Sequence, residues 1–325
     1  MRWWAEAVLP GHPDRFCDRV ADRIIEVAEK VDDEAFGQVE VSVWGHEVWL
    51  TGVLITREPI GCDWRELVVS EGLAVGYVPG SALDANDYVV RCSIDEEVAD
   101  PRRFSQRIND QSIAVGWAGY DEKTDFLPME HWLVWQLERA LWRAIEGGSL
   151  YGEGPDGKLL VEVEELGDQW CVRKILVSLQ QRPSTDAWVL CEGVVSVLKA
   201  AYEGIQKRDG RWVVGFDEVE VLVNPGGAWV LGGSLGDNGQ TGRKSVMDAY
   251  GPRVPIGGGA LHGKHKGHVD RVGFEWARKR ALERVRAGEG EVLVRGWWGP
   301  GLVSSTWFEV GCNSQVRKSL LAFCA

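Results

Sequence analysis

The chain has 325 residues, 45% of them hydrophobic, enough for two or three domains that each bury a core. Its net charge of −13 excludes nonspecific binding to DNA or RNA, because a polyanion needs a basic face. No apolar run is long enough to span a bilayer, the first residues do not form a signal peptide, and seven scattered cysteines without a C-x-x-C pair read as reduced thiols of a cytoplasmic protein.

Taken in chain order, residues 15–30 place Phe16, Val20, Ile24, Ile25 and Val27 at helical spacing and predict an amphipathic helix. Residues 38–56 alternate in two runs around Gly45-His46, a hairpin signal. A helix is expected at 64–75 and a strand from Tyr88 to Ile94. Residues 95–108 are polar, charged and interrupted by Pro101, and read as a long mobile loop. Further on, helices are expected at 130–147, 186–204 and 269–287, and strands at 159–164, 170–179, 218–223, 291–296 and 303–310. Strands and helices without strict alternation favour an α+β fold. The strand-strand-helix theme recurs about three times, so the ranges 1–94, 109–223 and 224–325 are taken as domains joined by the loop at 95–108.

The stretch from Asn224 to Arg271 is dense in glycine, and Arg243, Lys244, Lys264, His265, Lys266 and His268 sit among the glycines. In so acidic a chain this local reversal of sign suggests an anion site: glycine lets backbone N–H groups approach an anion, and lysine and arginine supply charge. Asp237 and Asp270 flank these cations and suit Mg²⁺ bridged to phosphate. A flexible surface loop is the plain alternative on composition. A P-loop is rejected: Gly258 to Lys264 fits G-x-x-x-x-G-K, but His265 replaces the required Ser or Thr and no strand immediately precedes it. At the other end of the chain, Gly11-His12-Pro13-Asp14-Arg15 puts a histidine and a carboxylate at a helix start, where either an ordinary N-cap or a metal ligand is expected.

Three blocks together resemble the S-adenosylmethionine synthetase family. Gly11-His12-Pro13-Asp14 is similar to its N-terminal motif. Asp110-Gln111 with Gly116 and Ala118 is similar to a second block, with Asn109 and Ser112 in place of two glycines. The run from Gly232 to Lys244, then Asp248-x-Tyr250-Gly251, Gly257 to Lys264 and Val269-Asp270-Arg271, resembles the longest signature, and Pro155-Asp156-x-Lys158 is a shorter echo. The resemblance implies three similar domains in pseudo-threefold arrangement, a homodimer with shared active sites, and transfer of the adenosyl group of ATP to L-methionine. A neutral thioether needs no general base; the demand is to stabilise a triphosphate leaving group.

Carried over by position, the resemblance implies that His12, Lys158, Arg243, Lys244 and Lys264 contact the polyphosphate, with Asp14 and Asp270 on Mg²⁺ and Glu40 on K⁺. Trp229 stands where a phenylalanine stacks on adenine, Asp237 and Ala260 lie at the nucleoside, and Asp110, Glu97, Asp237 and His268 lie towards the amino acid. The departures gather on the amino-acid side. The glutamate expected to grip the methionine ammonium falls on Val53, a glutamine on Glu97 and a lysine on His268; the loop at 95–108 is shortened. Three readings follow: a methionine adenosyltransferase in which Glu96 or Glu97 replaces the lost carboxylate, an adenosyltransferase for another thioether, or a nucleotide-binding partner of a true synthetase.

Overall fold

The computed structural model describes residues 1–105 and 107–301 and the backbone of 307–312. In chain order the elements are β1 (Arg2–Val8), α1 (Pro13–Val31), β2 (Phe36–Trp44), β3 (Glu47–Thr56), α2 (Trp64–Ala74), β4 (Val89–Val98), α3 (Arg102–Ser105), β5 (Ser112–Ala118), α4 (Met129–Gly147) and β6 (Gly157–Leu166). They continue with β7 (Gln169–Leu179), α5 (Ala187–Arg208), β8 (Glu220–Val223), β9 (Gly239–Gln240), α6 (Ser245–Ala249), α7 (Val269–Arg286), β10 (Val292–Trp298) and β11 (Trp307–Cys312). The fold is α+β, as expected. The predicted strand at 303–310 begins in residues outside those described.

Three sheets form, ordered β1-β6-β7-β8, β4-β3-β2-β9 and β11-β10-β5. Helices α4 and α5 pack on the first, α1 and α2 on the second, and α7 on the third. The sheets do not follow the contiguous ranges 1–94, 109–223 and 224–325. β1 joins β6 antiparallel, from Arg2 opposite Glu164 to Val8 opposite Lys158. β5 joins β10, with Ala118 opposite Val292, and β9 joins β2, with Gln240 opposite Ser42. Each sheet thus borrows a strand from a distant segment, which ties the termini and the middle of the chain together.

Local chemistry explains most element ends. Helix α1 starts on Pro13, whose missing N–H is no loss at that position, behind His12 as N-cap. Asp63 caps α2 by accepting from the N–H groups of Arg65 (2.9 Å) and Glu66 (3.1 Å), and Asp186 caps α5 in the same way. The loop expected at 95–108 is partly a strand: β4 continues to Val98, parallel to β3, with Asp95 beside Val53 and Val98 beside Thr56. Charged residues read as loop, yet β4 is an edge strand whose side chains are largely exposed, so charge there carries little desolvation cost.

A buried ion pair fastens the segments. Arg253 donates to both oxygens of Glu130 on α4 (2.9 and 2.8 Å) and to the Tyr120 hydroxyl (2.6 Å), and its guanidinium lies 4.0 Å from the ring centroid of Trp3 on β1. Neither charged partner reaches solvent. Gly116 on β5 is required by contact: a Cβ there would collide with the Ala277 carbonyl on α7.

Candidate active site

Two clusters gather half of the expected site residues, each at the first turn of a helix. In the first, His12 caps α1, its Nδ1 accepting from the Asp14 N–H at 3.2 Å. The proton therefore belongs on Nε2, which is left to donate. Burial, reinforced by Lys244 and Lys158, pushes the imidazole down to about 3, so it is neutral at physiological pH. The Asp14 carboxylate accepts from the Lys244 ammonium and from the Gln240 N–H (2.9 Å), with Arg243 3.5 Å away. Burial works against its ionisation, but the Lys244 and Gln240 hydrogen bonds outweigh it and hold Asp14 below its usual value.

The second cluster repeats the first. His268 caps α7, Nδ1 accepting from the Asp270 N–H, again at 3.2 Å, and burial together with Lys264 pushes it down to about 4. Asp270 accepts from Lys264 Nζ (2.6 Å) and from the Ser112 hydroxyl (2.7 Å). Ser112, which stands in place of a glycine, thus adds a hydrogen bond to this carboxylate. Burial opposes ionisation of Asp270 too, and the Lys264 and Ser112 bonds reverse it. The twin arrangement is written in the sequence as His-x-Asp-Arg at 12–15 and 268–271.

Among the described residues no hydrogen bond or ion pair joins the two clusters. Lys158 on β6 is exposed, close enough to bias His12, and no described carboxylate lies within ion-pair distance of it. Asp237 is exposed and accepts from the Asn238 N–H (2.8 Å); Arg243 also holds Asn238 Oδ1 at 2.9 Å. Ala260 packs against Gly242, where a Cβ would lie 2.6 Å from its own. Trp229 is half-buried, its indole N–H held by the Leu231 carbonyl at 2.6 Å. Asp110 lies near enough to His268 to favour its protonated form.

Glu40, Val53 and Glu97 lie on the sheet of β4, β3 and β2, whose β2 strand runs beside the Lys264 segment, with Gln38 bridged to Lys264 and the Val39 N–H donating to the Gly263 carbonyl at 2.7 Å. The buried residues Val39, Val41, Leu50 and Leu54 face α1 and α2, so Glu40 and Val53 project from the opposite face. Burial raises Glu40 despite nearby Lys264. Glu96 points to the helix side, where its Oε1 accepts from Trp64 Nε1 (2.7 Å), and is therefore not on the face of Val53. Asp95 is: it stands in register beside Val53 on the adjacent strand and is exposed.

Asp156 escaped the candidates. It is buried, Oδ2 accepts from the Gly233 N–H at 2.8 Å, and Oδ1 has no partner. Burial, against the Gly233 bond and Lys158, pushes it up to about 7. A carboxyl raised on folding binds its proton more tightly in the native state, so this group's contribution falls as pH rises from about 4 to about 7. Asp156→Asn is expected to remove that falling limb, worth on the order of 2–4 kcal/mol. Urea midpoints from pH 5 to 8 check this; parallel curves for both proteins would contradict it.

The two carboxylates suit a hard divalent cation. Both offer oxygen donors, and at Gly259 a Cβ would collide with the Asp270 carboxylate, so glycine keeps that approach open. Among the described residues no helix is long and apolar enough to cross a membrane.

Comparison with known proteins identifies the family. Residues 231–294 match the family model described as S-adenosylmethionine synthetase, C-terminal domain. The chain is 32% identical over 291 residues to S-adenosylmethionine synthase 1 of Rhodospirillum rubrum, covering 87% of this chain and 73% of that protein. It is 32% identical over 304 residues to the S-adenosylmethionine synthase of Thermus thermophilus (87% and 74%) and 32% identical over 307 residues to that of Bifidobacterium adolescentis (87% and 74%). With most of its glycine-rich stretch inside the matched model and the alignments spanning most of its length, the chain belongs to the S-adenosylmethionine synthetase family.

Proposed function

We propose that the protein transfers the adenosyl group of ATP to the sulfur of L-methionine, releasing triphosphate and hydrolysing it to pyrophosphate and phosphate. The observation that carries this reading is the pair of matched lysine–aspartate contacts, Lys244 with Asp14 and Lys264 with Asp270, each at a helix N-terminus beside a neutral histidine. In the transfer, a sulfur lone pair forms the bond to C5′ and the C5′–O bond breaks, its electrons leaving with triphosphate. No proton moves, which agrees with histidines that stay neutral. His12, Lys158, Arg243, Lys244 and Lys264 take the polyphosphate charge, a role for preorganised donors. Asp14 and Asp270 would hold Mg²⁺, which supplies further neutralisation of the leaving group, and Glu40 would hold K⁺. Trp229 offers a face for adenine, and Asp237 and Ala260 meet the nucleoside.

Because no hydrogen bond or ion pair joins the two clusters among the described residues, the complete site is proposed to form across a homodimer, His12 and Asp14 from one subunit meeting Lys264 and Asp270 of the other. The sheet face bearing exposed Trp49 and half-buried Glu40 and Val53 supports that contact. On the amino-acid side, with Asp110, Glu97, Asp237 and His268, Asp95 takes the place of the carboxylate missing at Val53. In-register neighbours on adjacent strands stand about 5 Å apart, close enough to grip the same ammonium. Asp95→Asn is expected to raise the KM for methionine about 10- to 100-fold, as for one charged hydrogen bond, with the KM for ATP little changed. An unchanged methionine KM would remove Asp95 from the site.

A second reading has support of its own: Val53 and the neutral His268 both alter the amino-acid side, which would suit a thioether with other polar groups. The test is direct. Purified protein is incubated with ATP, Mg²⁺ and K⁺, with and without methionine, and S-adenosylmethionine and phosphate are measured. Methionine-dependent product supports the proposal. Triphosphate release without an adduct favours the other thioether, and ATP binding without turnover overturns both in favour of a noncatalytic partner.

A further inference from the structure

A second group of ligating side chains lies outside the triphosphate site. His262, Asp248 and Asp18 bring one ligand atom each to within 4.8 Å of one another. They line a cavity of about 580 Å³ with Arg15, Asp22 and Glu138, between α1, α4 and the glycine-rich stretch. Three details go beyond an ordinary ion network. The His262 ring is oriented by Asp22, whose Oδ2 lies 2.6 Å from Nδ1, leaving Nε2 towards Asp248. That carboxylate–histidine pairing is the outer shell that orients an imidazole on a metal. Next, the Asp248 side chain is only 8% exposed, and its Oδ2 has no partner besides His262 Nε2, 3.3 Å away. Two ligands of a tetrahedral zinc with bonds of about 2.0–2.1 Å stand about 3.3 Å apart, so the separation is the edge of such a site.

The third detail is charge. Asp18, Asp22 and Asp248 face one guanidinium, that of Arg15, which takes Asp248 Oδ1 and reaches Asp18 Oδ2 at 3.3 Å. Arg19 and Arg23 in the same wall are paired with Glu71. Against burial, Asp22 and Asp248 push the His262 imidazole up to about 10, so the ring adds a second positive charge, and a divalent ion bound at Nε2 displaces that proton and takes over its charge. Asp18 keeps its other oxygen on the Gly242 N–H (2.8 Å), so a cation here would brace the loop that presents Arg243 and Lys244.

We propose that His262 Nε2, Asp248 Oδ2 and Asp18 form a structural site for a first-row divalent cation of the zinc type, distinct from any Mg²⁺ at Asp14 and Asp270. An imidazole ligand selects zinc or cobalt over Mg²⁺, which prefers oxygen. The probe is Co²⁺, titrated into chelator-stripped full-length protein with excess Mg²⁺ present. One equivalent should bind per chain with a visible ligand-field band of tetrahedral intensity. Zn²⁺ should displace it and raise the melting temperature. The band and the zinc-dependent shift should vanish in His262→Gln and, as a second variant, in Asp248→Asn. Failure of the native protein to retain Co²⁺ against Mg²⁺ overturns the site, as does a band that persists in either folded variant. Either result would leave the trio as an ion network only.

Discussion

Replacing Lys264 with alanine is expected to lower ATP turnover by at least 10²–10³-fold, the loss seen when one preorganised charge donor is removed from a transition state. Lys264 is buried, and its ammonium is held 2.6 Å from Asp270, so its position is fixed before substrate arrives. A cation placed in advance stabilises the developing triphosphate charge without reorganisation, and the effect should fall on kcat more than on ATP binding. Asp270→Asn should act as strongly, since it removes the proposed Mg²⁺ ligand and unties Lys264. Lys266→Ala is the control. That side chain is exposed two residues away, and its backbone N–H donates to Glu29 at 2.8 Å. Single-turnover triphosphate release, with far-UV circular dichroism to confirm folding, reads the outcome. A fully active Lys264→Ala protein would remove the second cluster from the chemistry.

The largest stability effect is expected at Arg253. Arg253→Ala leaves Glu130 fully buried without its bidentate partner, and breaking such a pair from one side costs about 3–5 kcal/mol. It also removes the hydrogen bond to Tyr120 and the cation–π contact to Trp3, so loosening should be felt in β1 as well as α4. Arg253→Met with Glu130→Leu, which removes both charges, should recover much of the loss. Urea unfolding of the two variants measures this. A change below about 1 kcal/mol for Arg253→Ala would mean that the pair is solvated, as surface pairs are.

Local signals in the sequence were strong enough to place α1, the β2–β3 hairpin, α2, α4, α5 and α7 within a few residues, because periodicity and caps act over short range. β1 and β5 were not foreseen. Their partners lie about 150 to 190 residues away in sequence, and pairing at that separation leaves no local mark beyond alternation. The same non-locality hid the exchange of strands between sheets. At the site, the residue types of both clusters were legible from motif blocks, but the lysine–aspartate pairing inside each was not. Nor did composition point to Asp156, whose character comes from burial, or to Asp95, whose interest comes from its register beside Val53.

The most direct measurement of a site shared between two chains is a mixing experiment with two inactive variants. Asp14→Asn damages one cluster and Asp270→Asn the other, and each alone is expected to be inactive. When the two proteins are unfolded together and refolded as a mixture, a mixed dimer carries one site with both defects and one with neither. Activity should return to about a quarter of that of the unmodified protein, given random pairing and a two-fold assembly. A mixture no more active than either variant alone, while forming dimers, would contradict a site built from His12 and Asp14 of one chain and Lys264 and Asp270 of the other.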